Sequence, residues 1–597
     1  MPRKSNYDKY PCIAVSTSGS ECSTGWPQIL QRLKGFSSQN KCVVCVECYP
    51  GAFERTINDI LREGLLPTAQ IFIADLLKPA AEIDTMLKGM LGDDPVFGRM
   101  STIRLQDFFD KWKLAKTRET VRNWKQGLLL IVGTGAALVS PQPELLVYAD
   151  MARWEIQSRQ RQNAIRNLGA DNLEESASAK YKRAFFVDWR AADQLKKELL
   201  PKIDFLIDTN GDVPKLIAGR ILREGLHKIA HHPFRVVPYF DPGPWGGHWM
   251  EEVCDLPKDV PNHAWCFDCV PEENSLLLGF GNACVEIPAI DLTFLHPREL
   301  LGQEIYSRFG AEFPIRFDLL DTMGGGNLSL QVHPKTEYIR REFGMNYTQD
   351  ESYYLLDAGA DGSVYLGLKP SVDAEAMIRD LLSAQSGGPQ FRATEYVNQF
   401  PARKHDHFLI PAGTVHCSGK NSMVLEISAT PYIFTFKLWD WGRLGLDGLP
   451  RPIHIDRGRA NIVWSRDTAW VQRNLINRIE PIGDGPAWRE ERTGLHELQF
   501  IETRRHWFTG PTPHDTNGTV NVMNLVEGIE ATVESPNGSF DPFVVHYAET
   551  FIVPGSVGKY TIRPSGDSLG QQCGTIKAFV RSAELRSRTS CLTKAVQ

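Results

Sequence analysis

Hydrophobic and polar positions change rhythm partway along the chain. From Pro11 to about Gly225, short apolar runs alternate with longer mixed stretches. Ile13–Val15, Cys42–Glu47, Gln70–Ala74, Leu128–Val132, Leu145–Tyr148, Phe185–Val187 and Phe205–Ile207 read as strands. Trp26–Leu33, Phe53–Leu61, Ile83–Leu91, Ala152–Asn163 and Ala191–Leu199 read as helices between them. This alternation predicts a parallel sheet flanked by helices, an α/β domain. Beyond His231-His232-Pro233, helices become rare, and Gly, Pro and aromatic residues punctuate short strands to the end of the chain. Ser363–Leu368, His407–Ile410, Met423–Ile427, Ile433–Leu438, Val520–Glu527, Phe543–His546 and Thr550–Val553 are examples, and they predict β-sandwich or barrel modules. A turn-rich stretch at Ile482–Ala487 marks a second boundary. The expected domains are 1–230, 231–482 and 483–597.

Length supports several domains: 597 residues at about 150 per domain gives about four. The charge sum, 66 basic against 72 acidic residues for a net of −6, lacks the basic excess that displaces counterions from nucleic acid. The expected ligand is therefore a small molecule. No run reaches the ~18 apolar residues of a membrane span, and Gly127–Val139 is interrupted by glycines. Met1–Tyr10 is polar with no apolar signal core, so the expected compartment is the cytoplasm. Cys42, Cys45 and Cys48 are spaced three apart, like zinc ligands. On a strand, however, positions three apart face opposite sides, and the reading is of buried core cysteines.

Candidate chemistry concentrates in Asn327–Tyr338. On a strand, Gln331 and His333 share one face while Leu330 and Val332 take the other, so a carboxamide oxygen and an imidazole arrive side by side. Asp350-Glu351 precedes an aromatic strand, and His405–His416 carries a Pro411-x-Gly413 turn into His416. Imidazole, carboxylate and carboxamide oxygen form a borderline donor set suited to zinc or another divalent first-row metal. A lone histidine on an apolar strand is more often a hydrogen-bonded core residue, and it is the joint arrangement that singles these out. His405 and His407 also share a face, but read as polar residues at a barrel mouth or on its surface.

Pro411-Ala-Gly413-Thr-Val-His416 resembles the second motif of cupins, and Gln331-x-His333 stands where their first would. More closely, Gln331-Val-His333-Pro334, Glu351 before its tyrosines, and Pro411-x-Gly413-Thr-x-His416 resemble type I mannose-6-phosphate isomerases. Upstream, Val237–Gly247 is similar to that family's segment ending in Trp-Gly-Gly, and Thr435–Trp441 to its Tyr-Arg-x-Tyr-Asp-Trp segment. The resemblance implies two cupin β-barrels and zinc held by Gln331, His333, Glu351 and His416. It implies isomerisation of mannose 6-phosphate and fructose 6-phosphate by moving a proton between C1 and C2 through an enediol. Lys437 stands where the family carries arginine, Lys335 where aspartate is usual, and a lysine two positions before Glu351 is missing. Lys437 and Lys335 are accordingly the candidate catalytic cations. Glu337 is where a general cupin would keep its glutamate.

In the first domain, Ile13–Trp26 sits where a nucleotide-binding strand, loop and helix would open, but Gly25 is followed by Trp26 and Pro27 instead of Lys and Ser or Thr. Asp75, Gly133-x-Gly135 and the arginines Arg153, Arg159 and Arg161 resemble uridine-kinase-like P-loop kinases in a degenerate form. Gly133-x-Gly135 by itself reads as a tight turn without ligand, and the arginines as a solvated helix face. The last domain, where His546 stands alone, reads as a structural barrel. The leading function is thus a zinc-dependent sugar-phosphate isomerase. A sugar-phosphate sensor without turnover, and a bifunctional enzyme with residual sugar kinase activity, are the alternatives.

Overall fold

The computed structural model describes residues 5–16, 19–37, 40–429, 433–494, 496 and 499–581. Thr17 and Ser18 of the expected nucleotide loop lie outside them. The protein is multidomain, with an α/β part and several further sheets. Its chain divides into two compact units: one holds Cys12–Ile229 and Pro271–His296, the other the described parts of Met1–Pro11, Ala230–Val270 and Pro297–Gln597. The segment Pro271–His296, read from sequence within the β-rich region, belongs instead to the α/β unit.

The α/β unit is built on a seven-stranded sheet in the spatial order Cys22–Thr24, Lys215–Ala218, Phe205–Asp208, Leu145–Asp150, Lys41–Cys48, Gly127–Gly133, Ala69–Phe72. The last five are parallel; the first two complete the edge antiparallel. Lys41–Cys48 is the middle one of the five parallel strands and is buried from Cys42 onward, as expected of a strand covered on both faces. Burial pushes the Cys45 and Cys48 thiols well above their usual range, in keeping with core cysteines.

Three expectations fail here. Phe185–Val187 is not a strand but one π-helical turn, Ala184–Asp188, between the helices Ala177–Arg183 and Trp189–Leu199. A short apolar run buried all round satisfies helix and strand alike, and only its neighbours decide. Ile13–Val15 is a strand, but it joins Ser275–Phe280 and Ala283–Pro288 in a separate three-stranded sheet, so it does not open the parallel sheet. Arg153 and Arg159 are buried rather than solvated, paired with Asp193 at 2.6 Å and with Glu155 at 2.7 Å.

Gly133 and Gly135 take positive φ in a turn closed by Glu47, whose carboxyl accepts from the Gly135 and Ala137 amides. Burial nonetheless pushes Glu47 up to about 8. A carboxyl raised in the folded state holds its proton while the unfolded chain releases it. The stability this contributes is complete below about 4.5 and is lost as pH rises through about 8. Glu47→Gln, neutral throughout, should therefore flatten the fall in unfolding temperature between pH 5 and pH 8. An unchanged slope in thermal melts would place the proton elsewhere, on Glu54 for instance, which burial also raises.

The other unit contains a six-stranded sheet, His407–Ile410, Glu351–Ala358, Ser422–Ser428, Arg316–Asp321, Trp265–Cys269, Tyr239–Asp241. Beside it stands a five-stranded one, Val397–Pro401, Ser363–Leu368, His416–Ser418, Leu330–Val332, Phe436–Trp439. Two further sheets of six and four strands follow from Glu480 onward. Ile482–Ala487, expected as a divider, is part of the hairpin joining Glu480–Gly485 to Trp488–Gly494. Helices are also more frequent than expected. Ala374–Gln385, for example, starts at an Asp373 cap that accepts from the Glu375 and Ala376 amides. Among the described residues no helix is long and apolar enough to cross a membrane.

Candidate metal centre

Two strands from one sheet and one from another deliver the site. Gln331 is the cross-strand partner of His416 on one side and of Lys437 on the other, so these three side chains lie in a row on one face. Glu351 begins the strand Glu351–Ala358 of the six-stranded sheet, opposite Ile410 and Ser428. The Pro411–Thr414 turn aims His416. Gly413 has φ +87°, and a Cβ there would lie 2.9 Å from the Asn461 carbonyl, so only glycine fits. Its amide donates to the His333 carbonyl at 3.0 Å, tying the two histidine segments together.

His333, Glu351 and His416 converge. Glu351 Oε2 is 3.0 Å from His333 Nε2 and Oε1 is 2.7 Å from His416 Nε2, with all three side chains fully buried. Each imidazole directs its other nitrogen to a backbone carbonyl: His333 Nδ1 to Phe434 at 3.0 Å and His416 Nδ1 to Thr414 at 2.8 Å. This is the outer layer by which metal-binding histidines are oriented, and it leaves both Nε2 lone pairs facing the carboxylate. Lone pairs converging out of water are unfavourable without a proton or cation between them. His333 Nε2 and Glu351 Oε1 have no hydrogen-bond partner. Burial opposes the Glu351 charge, but His333 and His416 outweigh it and hold the carboxyl well below its usual range; Glu351 in turn raises His333. Among the described residues, His333, Glu351 and His416 are the one group offering three such donors within 4.8 Å of one another. The set suits a divalent ion of the zinc type.

Gln331 lies beside them, its Nε2 3.2 Å from His416 Nε2. A flip of the amide would turn its oxygen toward the same centre. Gln349, which sequence reasoning recorded only as a missing lysine, donates from Nε2 to Glu351 Oε2 at 3.1 Å and steadies the carboxylate. Lys437 is pushed down to about 7, by burial first and then by Arg451. That range suits an amine that exchanges protons at neutral pH. Lys335 precedes the helix Thr336–Phe343, with its backbone amide donating to Asn461.

Beneath the centre, Arg316 Nε lies 2.9 Å from Asp318, and the same guanidinium pairs with Glu426. Burial raises both carboxyls, and proximity to Glu351 raises Glu426 further.

Other sequence candidates lie elsewhere. Glu337 is exposed on the helix Thr336–Phe343 and outside the donor group. His405 binds Tyr354 and Glu527, at 3.0 Å and 3.1 Å. His407 is buried and pushed down to about 3 by desolvation, with no place in the group. The last sheets are less bare than expected: His506 and His514 bring their rings within 4.3 Å, and Glu490 lies 3.2 Å from His506. Their strands carry no motif that marks the pair in the sequence.

Strands of two β-sheets thus bring together a buried His/Glu/His group, flanked by an amide and a lysine, whose donors could hold a metal ion. Relatives over part of the chain carry a more particular name. A Streptococcus mutans protein named mannose-6-phosphate isomerase is 25% identical over 215 residues, 36% of this chain and 62% of that protein. The chain thus spans less than two thirds of that relative's length. Bacillus subtilis mannose-6-phosphate isomerase ManA is 24% identical over 226 residues, 38% of this chain and 66% of that protein. Among solved structures, the Bacillus subtilis mannose 6-phosphate isomerase aligns with TM-score 0.46 and 17% identity, over 58% of this chain and 99% of that one. A phosphomannose isomerase variant from Salmonella typhimurium aligns with TM-score 0.45 and 13% identity, over 59% and 100%. A family described as "Domain of unknown function (DUF8485)" matches residues 25–231.

Proposed function

We propose that the chain is a zinc-dependent aldose–ketose isomerase that interconverts mannose 6-phosphate and fructose 6-phosphate in the cytoplasm. The observation that carries this reading is the convergence of His333, Glu351 and His416 next to Gln331 and Lys437. Gln331, His333, Glu351 and His416 would hold the metal, which when bound supplies Lewis-acid polarisation of the sugar oxygens. The chain's own residues do the rest. Gln349 and the Phe434 and Thr414 carbonyls fix the donor orientations. Lys437 sets a basic group beside the donors, where negative charge develops as the proton moves between C1 and C2. Lys335, two residues after His333, adds a second. In this reading the unit that holds Ala230–Val270 and Pro297 onward contains two cupin-type barrels. The α/β unit is read as a kinase-like module in degenerate form, because Tyr49-Pro50-Gly51 follows the strand Lys41–Cys48 without the lysine that reaches a phosphate.

Incubation of the full chain with zinc and mannose 6-phosphate should yield fructose 6-phosphate, and no conversion above a chelated control would remove the proposal. Lys437→Met should lower kcat about 100-fold while leaving bound zinc unchanged, the scale on which a single electrostatic group acts in a transition state. Lys437→Met with wild-type turnover would assign the basic role elsewhere. A second reading, a sugar-phosphate sensor, is favoured by the neutral Gln349 where short family members carry lysine. It expects stabilisation by mannose 6-phosphate without product.

A further inference from the structure

Of the eleven described cysteines, nine are buried, and the two that are not, Cys12 and Cys284, are the two whose sulfurs meet. Their Sγ atoms lie 2.8 Å apart. The contact comes from the three-stranded sheet of the α/β unit. Cys12 is on Cys12–Ser16, Cys284 on Ala283–Pro288, and Ser275–Phe280 runs between them. Side chains two strands apart do not ordinarily touch, because the residue on the middle strand stands in the way. Here the middle strand meets Cys284 at Gly279 and Cys12 at Leu277, so the two thiols approach each other diagonally past Gly279. A Cβ at Gly279 would sit 3.1 Å from the Cys12 sulfur, so the glycine opens the path over which the thiols approach.

We propose that Cys12 and Cys284 form an oxidisable thiol pair that closes a reversible disulfide across Gly279. With a low-molecular-weight disulfide such as oxidised glutathione as oxidant, the exposed Cys12 thiolate attacks one glutathione sulfur and releases one glutathione thiolate. The Cys284 thiolate then attacks the Cys12 sulfur of the mixed disulfide and displaces the second. One Sγ–Sγ bond forms and the glutathione S–S bond breaks, with the two thiol protons and the two electrons ending on two reduced glutathiones. The sulfurs, 2.8 Å apart, close to a bond length of about 2.05 Å, which also draws the backbones of the two outer strands toward each other. The bond fastens the strand Cys12–Ser16 to Ala283–Pro288, two segments far apart in sequence. The nine buried cysteines lack this access, and a thiol shielded from solvent exchanges poorly.

The test is to equilibrate the full chain with oxidised glutathione, block remaining thiols with iodoacetamide, and map peptides by mass spectrometry. The expected product is one peptide pair joined through Cys12 and Cys284, two mass units lighter than the reduced pair and separated again by dithiothreitol. It should be absent in Cys12→Ser and in Cys284→Ser. Gly279→Val, which places methyl groups between the thiols, should slow formation at least tenfold while circular dichroism confirms the fold. The proposal is overturned if Cys12 and Cys284 are both carbamidomethylated after oxidation, if each retains glutathione, or if either links to a different cysteine. Where Gly279→Val fails to fold, the two serine variants decide alone.

Discussion

His416→Ala should cost the protein about 100-fold or more in zinc affinity. The imidazole is one of three donors within 4.8 Å, and its loss removes a ligand outright rather than merely disorienting one. It also leaves Glu351 Oε1 facing a gap where the His416 nitrogen had been 2.7 Å away. Zinc at about 100 times its dissociation constant should stabilise the wild-type chain by about 2.7 kcal/mol through mass action, and this increment should vanish in the variant. His407→Ala, altering a buried histidine outside the group, should retain zinc binding. Equilibrium dialysis and melts with and without zinc read both quantities. Wild-type affinity in His416→Ala would show that the three donors do not share an ion. Mannose 6-phosphate turnover should fall with zinc occupancy.

The second large effect concerns the ion cluster under the centre. Arg316→Met should destabilise its unit by about 3–5 kcal/mol, because Asp318 and Glu426 would be left buried without their cation. Arg316 contacts both, and the carboxylates are nearly sealed from solvent: Asp318 is 2% exposed and Glu426 5%. Because burial already raises these carboxyls, they would take up protons in the variant, so its deficit should shrink as pH falls. Neutralising all three in Arg316→Met/Asp318→Asn/Glu426→Gln should recover much of the loss. Urea unfolding followed by tryptophan fluorescence gives the midpoints. A single variant as stable as wild type would mean that the arginine is dispensable to the carboxylates.

Much of the centre was legible in the chain. The alternation around Gln331 and His333 placed both on one face, because strand side chains have a period of two residues. The Pro411-x-Gly413 turn announced His416 because a position with φ +87° next to a backbone carbonyl excludes other side chains. The same local logic found the strands flanking Glu47 and misread Phe185–Val187, since an apolar run of three residues carries no period of its own.

What the sequence by itself determined was which residues face together within each strand and where turns aim them. The pattern singled out the histidines and carboxylates as candidates, and it was the resemblance to an isomerase family that implied Gln331, His333, Glu351 and His416 together as the donor set. Tertiary structure decided which faces meet. It set Lys437 beside Gln331, gave Gln349 to Glu351, put Arg316 beneath the centre, turned Glu337 outward and brought Cys12 to Cys284 over Gly279. The physical reason is that periodicity is a property of one segment, whereas register is fixed only when segments separated by tens to hundreds of residues pair and exclude water together.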